Sequence, residues 1–247
     1  MIKTKVIGRV FRQDEIADQI YDMWIETELA QGARPGQFVC VYTKNAAALL
    51  PRPISICEVN EEKTMLRLVY RTVGTGTNEF AAYHAGTEIS LLGPLGNGFP
   101  VEKAAGKRVF LIGGGIGIPP MLQLSKEIKK AGQAYCELSV LGYRNELFLN
   151  TDLEKYSQVY VATEDGSAGT KGTVLDAIKE KGLSGDVIFA CGPMPMLRAI
   201  KEYAAANNME AYISLEEHMA CGVGACLGCV CKTKNVDAHS HVHNSRI

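Results

Sequence analysis

The sequence predicts an α+β protein of several parts: an N-terminal antiparallel β-barrel, a central doubly wound parallel α/β domain and a small C-terminal segment. Short β-rich runs separated by glycine, proline and asparagine fill residues 1 to about 100. Strand and helix patterns then alternate as far as residue 213. The remaining stretch is too short to bury a core of its own and contains four clustered cysteines. The predicted parts are therefore 1–100, 101–213 and 214–247.

The composition limits what the protein can do. Of 247 residues, 47% are hydrophobic and 21% are charged, which is typical of a globular chain rather than a disordered one. The net charge of −1 gives no basic excess for nucleic acid or an anionic membrane. The first residues lack the apolar core of a secretory signal, and we find no apolar run of about 18 residues. We expect a cytoplasmic protein.

In the first part, three short runs predict barrel strands: Val39–Tyr42, Ile54–Cys57 and Leu66–Tyr70. A short helix is predicted over Thr77–Gly86. The cysteines outside the C-terminal cluster at Cys40, Cys57 and Cys136 have apolar neighbours, and we interpret them as small buried hydrophobic residues.

Arg52-Pro53-Ile54-Ser55 is a candidate flavin-binding segment. Its guanidinium can pair bidentately with a pyrophosphate, and its hydroxyl can hydrogen-bond a flavin ring nitrogen. Val69-Tyr70-Arg71 and Gly74-Thr75-Gly76-Thr77 strengthen the hypothesis, because glycine lets a phosphate approach the backbone and Tyr70 could pack on a ring. An exposed arginine before an ordinary strand would look the same, and Tyr70 could equally be part of the barrel packing.

In the central part, apolar runs predict five strands, which begin at Arg108, Cys136, Val159, Val187 and Ala211. Between them, helical patterns begin at Pro120, Val174 and Met194. In the first helix Met121, Leu124 and Ile128 share one face, and Gly132 suits the C-terminal cap.

The turn Gly113-Gly114-Gly115-Ile116-Gly117 follows a predicted strand and opens a helix, which is typical of an anion site. It does not match the usual dinucleotide fingerprint, since Pro120 stands three residues after Gly117. Other predicted strand ends carry Asp165 and the pair Cys191-Gly192. The Cys191 thiol is suited to a nicotinamide contact, although it could also be a buried structural cysteine. Acidic Asp165 favours NAD over NADP, whereas Arg144 favours the reverse.

Cys221, Cys226 and Cys229 have the C-x4-C-x2-C spacing of plant-type 2Fe–2S ligation. Gly222, Gly224 and Gly228 would permit the tight wrapping that a cluster needs. Zinc is the alternative, but no second cysteine pair with zinc-site spacing is present. A fourth ligand is not evident: we interpret Cys231 as structural and His239, His241 and His243 as solvated tail residues.

The order of these motifs resembles the ferredoxin reductase superfamily, and more closely the electron-transfer subunits of type B, NAD-dependent dihydroorotate dehydrogenases. The likeness covers essentially the whole chain and is most specific from Ser214 to Cys231. The family has a fourth cysteine after the third ligand, and this sequence has no cysteine after Cys231.

The resemblance implies three cofactors: FAD, NAD and a 2Fe–2S cluster. The implied FAD residues are Arg52, Pro53, Ile54, Ser55, Val69, Tyr70, Arg71, Gly76 and Thr77, and the implied cluster ligands are Cys221, Cys226 and Cys229. It also implies a partner, an FMN-containing catalytic subunit that oxidises dihydroorotate in pyrimidine biosynthesis, in a heterotetramer of two plus two.

We expect an oxidoreductase that conducts electrons between that FMN and NAD, with no catalytic side chain of its own. One alternative is another FAD and 2Fe–2S reductase of the same build, such as a ferredoxin:NADP reductase subunit. The other is a non-catalytic metal-sensing module.

Overall fold

A computed structural model describes residues 5–45, 47–217, 219–226, 228–233, 236 and 244–246 of the chain. The predicted fold class is confirmed: a closed antiparallel barrel is followed by a parallel sheet with helices and by a small C-terminal segment. The tail histidines His239, His241 and His243 lie outside the described residues. Within the described part of the chain, no helix is long and apolar enough to cross a membrane.

Six antiparallel strands close into a barrel in the order β1-β2-β5-β4-β3-β6. They are β1 (Lys5–Ala17), β2 (Ile20–Glu26), β3 (Phe38–Tyr42), β4 (Arg52–Val59), β5 (Met65–Arg71) and β6 (Glu88–Leu95). The barrel core takes alternate side chains from each strand, as the pleat requires. In β3, Val39 and Val41 belong to this core, so Cys40 between them points out of the barrel.

Two features of the barrel differ from the prediction. The hairpin of β1 and β2 was not predicted, because its turn has Gln19 at φ 59° rather than the glycine or asparagine that marks such turns. The short helix, α1 (Thr75–Ala81), begins earlier than predicted and ends before Tyr83. The chain then turns through Gly86 at φ 86°, a conformation in which the helix cannot continue.

The second part is a six-stranded parallel sheet in the order β10-β9-β8-β7-β11-β12. Its strands are β7 (Arg108–Gly114), β8 (Cys136–Tyr143), β9 (Gln158–Thr163), β10 (Thr170–Lys171), β11 (Val187–Cys191) and β12 (Glu210–Ser214). Its helices are α2 (Pro119–Ala131), α3 (Asn150–Leu153), α4 (Val174–Glu180) and α5 (Met194–Ala206). The five predicted strands and three predicted helices are confirmed.

Helices cover both faces of the sheet, which is why β7 is almost uniformly apolar. Val109 and Leu111 pack toward α2, while Phe110 and Ile112 pack toward α4 and α5. The α2 helix begins at prolines and ends at Gly132, whose φ of 62° suits the predicted cap.

The helix α2 also packs against barrel strand β4. The Gln123 side chain accepts a hydrogen bond from the Val59 backbone N–H at 2.8 Å. A buried ion-pair network reinforces this contact, with Arg67 of the barrel within 3.1 Å of Asp152 in α3 and Lys126 within 3.1 Å of Glu58. Barrel and sheet therefore share one packed boundary. The last two strands, β13 (Val230–Lys232) and β14 (Asn244–Arg246), form a separate two-stranded ribbon.

Candidate functional site

A cavity of about 900 Å³ opens where the three parts of the chain meet. Its volume lies within the range of cofactor sites. The barrel contributes the beginning of β4 and the end of β5, and the sheet contributes Ile116 and the end of β12. Met219 and Cys231 of the C-terminal segment complete the wall. One bound molecule would therefore touch all three parts.

The predicted flavin-binding residues converge on this cavity. The residues of that set that line it are Arg52, Pro53, Ile54, Ser55, Val69, Tyr70, Arg71 and Thr77. The remaining one, Gly76, lies behind Arg52: a Cβ atom at this position would be 2.1 Å from the Arg52 Nε. Gly76 thus leaves the space in which the guanidinium lies, and Arg52 is further held by a hydrogen bond to the Leu50 carbonyl.

Tyr70 fits both of its sequence interpretations. Its phenol donates a 2.8 Å hydrogen bond to Gln13, and its ring stacks on Tyr21 with centroids 5.9 Å apart. Burial raises the pKa of Tyr70. The residue is therefore packed in the barrel wall while one side of it lines the cavity. Thr77 is similarly engaged, since its hydroxyl accepts a hydrogen bond from the Val73 N–H at 2.9 Å.

The glycine-rich turn lies at the carboxyl end of β7, where the strand order reverses and such sheets bind ligands. Packing explains most of its glycines: a Cβ at Gly117 would be 2.4 Å from the Cys191 carbonyl oxygen, and one at Gly114 would be 2.6 Å from Met196. Gly115, at φ 51°, faces open space. Pro119 and Pro120 provide no N–H, so the anion donors of this site must come from the turn itself.

Cys191 ends β11 directly beside Gly113 of β7. The residue is 1% exposed, and burial raises the pKa of its thiol to about 12. The thiol lies beside Ser214 and Glu216 of the cavity wall, but the residues that line the cavity do not include Cys191 itself. Gly192, at φ 154°, fits against Gly114 and Met196. The nicotinamide contact of Cys191 stays a prediction.

Asp165 follows β9 on an exposed loop at the same edge of the sheet. Its carboxylate accepts hydrogen bonds from the Ser167 hydroxyl at 2.7 Å and backbone N–H at 2.9 Å, which lower its pKa. A negative charge is therefore fixed at this edge, which disfavours a phosphate placed there. Its contact with a nucleotide also stays a prediction.

The cysteine loop has its amide groups turned toward its first sulfur. The Cys226 backbone N–H lies 3.5 Å from the Cys221 Sγ, and hydrogen bonds from Cys226 and Val223 lower the pKa of Cys221 to about 6. Burial raises the pKa of Cys229, with further contributions from Cys226 and Cys221. Iron–sulfur clusters are held by cysteine thiolates, and hydrogen bonds to their sulfur atoms tune the reduction potential, so the chemistry of this loop suits such a cluster.

Two of the three predicted loop glycines adopt left-handed conformations, Gly222 at φ 67° and Gly224 at φ 76°. At Gly228 a Cβ would lie 3.5 Å from the Cys226 sulfur, an ordinary van der Waals distance, so the conformation expected of this glycine stays a prediction. Among the described residues, no three His, Cys, Asp or Glu side chains are already grouped to hold a metal ion.

The other cysteines divide into two kinds. Cys40 and Cys57 are fully buried, as predicted, whereas Cys136 at the start of β8 is only half-buried, so that prediction is wrong. Cys40 is also not simply a core residue, because Gly222 of the cysteine loop packs on its sulfur. Sequence reasoning missed this contact, as it missed the contribution of Tyr212 and Glu216 to the cavity wall.

Comparisons with known proteins agree with this geometry. Residues 216–243 match the family model for the iron–sulfur cluster binding domain of dihydroorotate dehydrogenase B. Residues 111–202 match the model for the oxidoreductase NAD-binding domain. The two matches fall on the cysteine segment and on the parallel sheet.

Curated relatives are similar over nearly the whole chain. A dihydroorotate dehydrogenase B (NAD(+)) electron transfer subunit from Geobacillus sp. (strain WCH70) is 43% identical, covering 92% of this chain and 88% of the relative. The subunit of the same name from Bacillus caldolyticus is 44% identical over 92% and 90%. Among solved structures, an NADH-dependent reduced ferredoxin-NADP oxidoreductase that performs flavin-based electron bifurcation is 28% identical with a TM-score of 0.85, covering 98% of this chain and 88% of the other.

Proposed function

The chain belongs to the family of dihydroorotate dehydrogenase B electron transfer subunits. On that premise we propose how its residues hold the cofactors that carry electrons. The path runs between NAD and a dihydroorotate-oxidising partner by way of FAD and a 2Fe–2S cluster. The observation that supports it most is a cavity that barrel, sheet and cysteine segment line together. A flavin there would have the nucleotide site on one side and the cluster on the other.

In this proposal the barrel holds FAD. Arg52 binds its pyrophosphate, Ser55 faces its ring, and Pro53, Ile54, Val69, Tyr70, Arg71 and Thr77 form the remaining wall, with Gly76 supporting Arg52. Bound FAD would supply the chemistry that exchanges a hydride with NAD and single electrons with the cluster. The protein contributes placement, and no side chain is assigned as a proton donor or a nucleophile.

The nucleotide side is the crevice between β7 and β11. We propose that Gly113, Gly114, Gly115 and Gly117 bring backbone against the dinucleotide, with Cys191 and Gly192 closing the crevice. Ile116 projects from this turn into the flavin cavity, so the two ligands would meet at this residue. Asp165 would disfavour a 2′-phosphate and so select NAD.

The cluster would be held by Cys221, Cys226 and Cys229. Cys226 is exposed whereas Cys229 is buried, so one side of the loop faces solvent and the other faces the barrel. Electrons would therefore leave or enter on the exposed side. The division into 1–100, 101–213 and 214–247 assigns one centre to each part.

The partner in this proposal is an FMN-containing catalytic subunit of pyrimidine biosynthesis, assembled as two copies of each chain, in the cytoplasm. We propose that it docks over the exposed side of the cysteine loop. Val223 on that loop is 41% exposed. Leu49 is 82% exposed and lies on a cleft shared with Met219 of the cysteine segment. Large exposed apolar side chains beside a candidate site are typical of an interface.

The test is an anaerobic preparation of the full chain, assayed for FAD, iron and sulfide and titrated with NADH. The proposal expects one FAD and two irons per chain, with NADH bleaching both absorption bands. Arg52→Ala should lose FAD, whereas Arg12→Ala, an exposed arginine on β1, should keep it. Colourless protein after reconstitution, or an Arg52→Ala variant with full flavin, would contradict the assignment.

Partner docking is tested by mixing the chain with the catalytic subunit and measuring the complex by gel filtration. Leu49→Asp, outside the cysteine loop, should weaken the complex while leaving FAD and iron content unchanged. Tyr135→Asp, which changes an exposed residue at the far end of the sheet, is the matched control. A complex that withstands Leu49→Asp would place the partner elsewhere.

A second candidate function follows from the bifurcating ferredoxin-NADP oxidoreductase, which matches 98% of this chain. That candidate predicts reduction of ferredoxin by the isolated chain. The first predicts NAD reduction that depends on dihydroorotate and the catalytic subunit. The same preparation distinguishes the two in parallel assays.

A further inference from the structure

The cysteine loop rests on the outside of the barrel at a thiol. Cys40 points outward from β3 and is 0% exposed. At Gly222, a Cβ atom would be 2.5 Å from the Cys40 Sγ and 3.4 Å from Leu95 Cδ1. No side chain larger than hydrogen fits at position 222 while Cys40 keeps its place. Cys40 therefore lies directly beneath the residue that follows Cys221.

The sulfur of Cys40 is also close enough to the cysteine loop to interact electrostatically with Cys221 and Cys229. Its thiol makes no hydrogen bond to the residues that the structure describes. A thiol has one S–H to donate, and a buried thiol stays protonated because a low-dielectric surrounding disfavours the thiolate. An unused donor is thus buried against the loop that carries the candidate cluster ligands.

Hydrogen bonds to the sulfur atoms of an iron–sulfur cluster, together with its burial, set its reduction potential. A donor stabilises the reduced cluster more than the oxidised one, because the reduced cluster carries more negative charge. On the proposed function, we propose that Cys40 is such a donor: its S–H binds sulfur at the Cys221 corner of the cluster and raises the cluster's reduction potential. Cys40 is not a ligand in this proposal and does not exchange electrons.

The test compares Cys40→Val, which suits a strand and adds one γ-carbon but lacks a donor, with Cys40→Ser, which keeps a donor. Iron and sulfide content, the electron paramagnetic resonance spectrum of the reduced cluster and its midpoint potential are measured on the full chain. The control is Cys57→Val, a fully buried barrel thiol in the core between barrel and sheet.

Cys40→Val should keep its iron and sulfide and become harder to reduce. At a fixed solution potential the ratio of reduced to oxidised cluster should fall about 2- to 10-fold, the worth of one hydrogen bond. A tenfold change corresponds to a shift of about 59 mV for a one-electron couple. Cys40→Ser and Cys57→Val should stay near the wild-type potential.

Two results would overturn the inference alone. A Cys40→Val potential and spectrum equal to those of the wild type would show that the thiol does not touch the cluster. Loss of iron from folded Cys40→Val and Cys40→Ser would show that Cys40 is a ligand instead. A wild-type chain without a 2Fe–2S spectrum after reconstitution would overturn the proposed function as well. If Cys40→Val does not fold, Cys40→Ala is measured against the same two outcomes.

Discussion

Replacing Gly76 by alanine tests the proposal that Arg52 binds the flavin phosphate. A Cβ at this position would be 2.1, 2.5 and 2.8 Å from Arg52 Nε, Cζ and Cδ. These atoms are the movable end of a long side chain, so the guanidinium should shift while the backbone stays. Gly76 is the second residue of α1, at a φ open to any residue, and alanine is a better helix former than glycine. The variant should therefore fold at least as well as the wild type.

The displaced arginine should weaken FAD binding. A hydrogen bond to a charged group contributes about 1.5–3 kcal/mol, which corresponds to an affinity loss of about 10- to 150-fold. The assay is fluorescence titration of flavin-free protein with FAD. Asn78→Ala is the matched control, since it changes an exposed side chain two residues later in the same helix.

The double variant makes the test sharper. If Gly76→Ala acts only by moving Arg52, then combining it with Arg52→Ala should weaken FAD binding no further than Arg52→Ala alone. Losses that add, or a Gly76→Ala variant that binds FAD as tightly as Asn78→Ala, would refute the reasoning that the guanidinium holds the phosphate from this position.

Three further outcomes are expected. Cys226→Ser should lose the 2Fe–2S spectrum but keep FAD, as measured by absorbance with iron analysis. Arg67→Met removes the cation of a buried ion-pair network, so the free energy of unfolding measured in urea should fall by about 3–5 kcal/mol. Lys155→Met, at an exposed ion pair, should lower it by under about 1 kcal/mol. Burial raises the Glu137 pKa from 4.5 to about 7. Between these two pH values the unfolded state loses the proton while the folded state keeps it, so the free energy of unfolding falls as pH rises through this interval. Glu137→Gln should flatten that dependence in urea midpoints and Glu202→Gln should not.

Local sequence patterns were sufficient to predict those elements and site segments whose residues are adjacent both in sequence and in space. The strands β7 and β11 are continuous apolar runs because both faces of the sheet are covered, and their pattern identified them. Arg52 to Ser55 could be predicted because one strand end carries the whole segment. The β1–β2 hairpin could not, because Gln19 adopts a left-handed turn that most sequences assign to glycine or asparagine.

Contacts between segments that are far apart in the sequence could not be predicted from local sequence patterns. The apolar neighbours of Cys40 predict a core residue, whereas the role proposed for it depends on the cysteine loop, which packs on it at Gly222, 182 positions later. The pairing of Arg67 with Asp152 across the boundary between barrel and sheet is of the same kind. Both contacts depend on how the strands are arranged in space, and the local sequence around each residue does not contain that information.

Because the C-terminal segment forms part of the cavity wall, its docking on the barrel is linked to FAD binding. That segment rests on the barrel through Gly222, which packs against Cys40 and Leu95. Met219 and Cys231 add it to the cavity wall. A ligand that contacts this wall stabilises the docked arrangement by its own binding, by about 2.7 kcal/mol at a hundredfold excess over its Kd. FAD binding and docking of the cysteine loop are therefore linked equilibria. We expect the iron content of the chain to rise and fall with its FAD content.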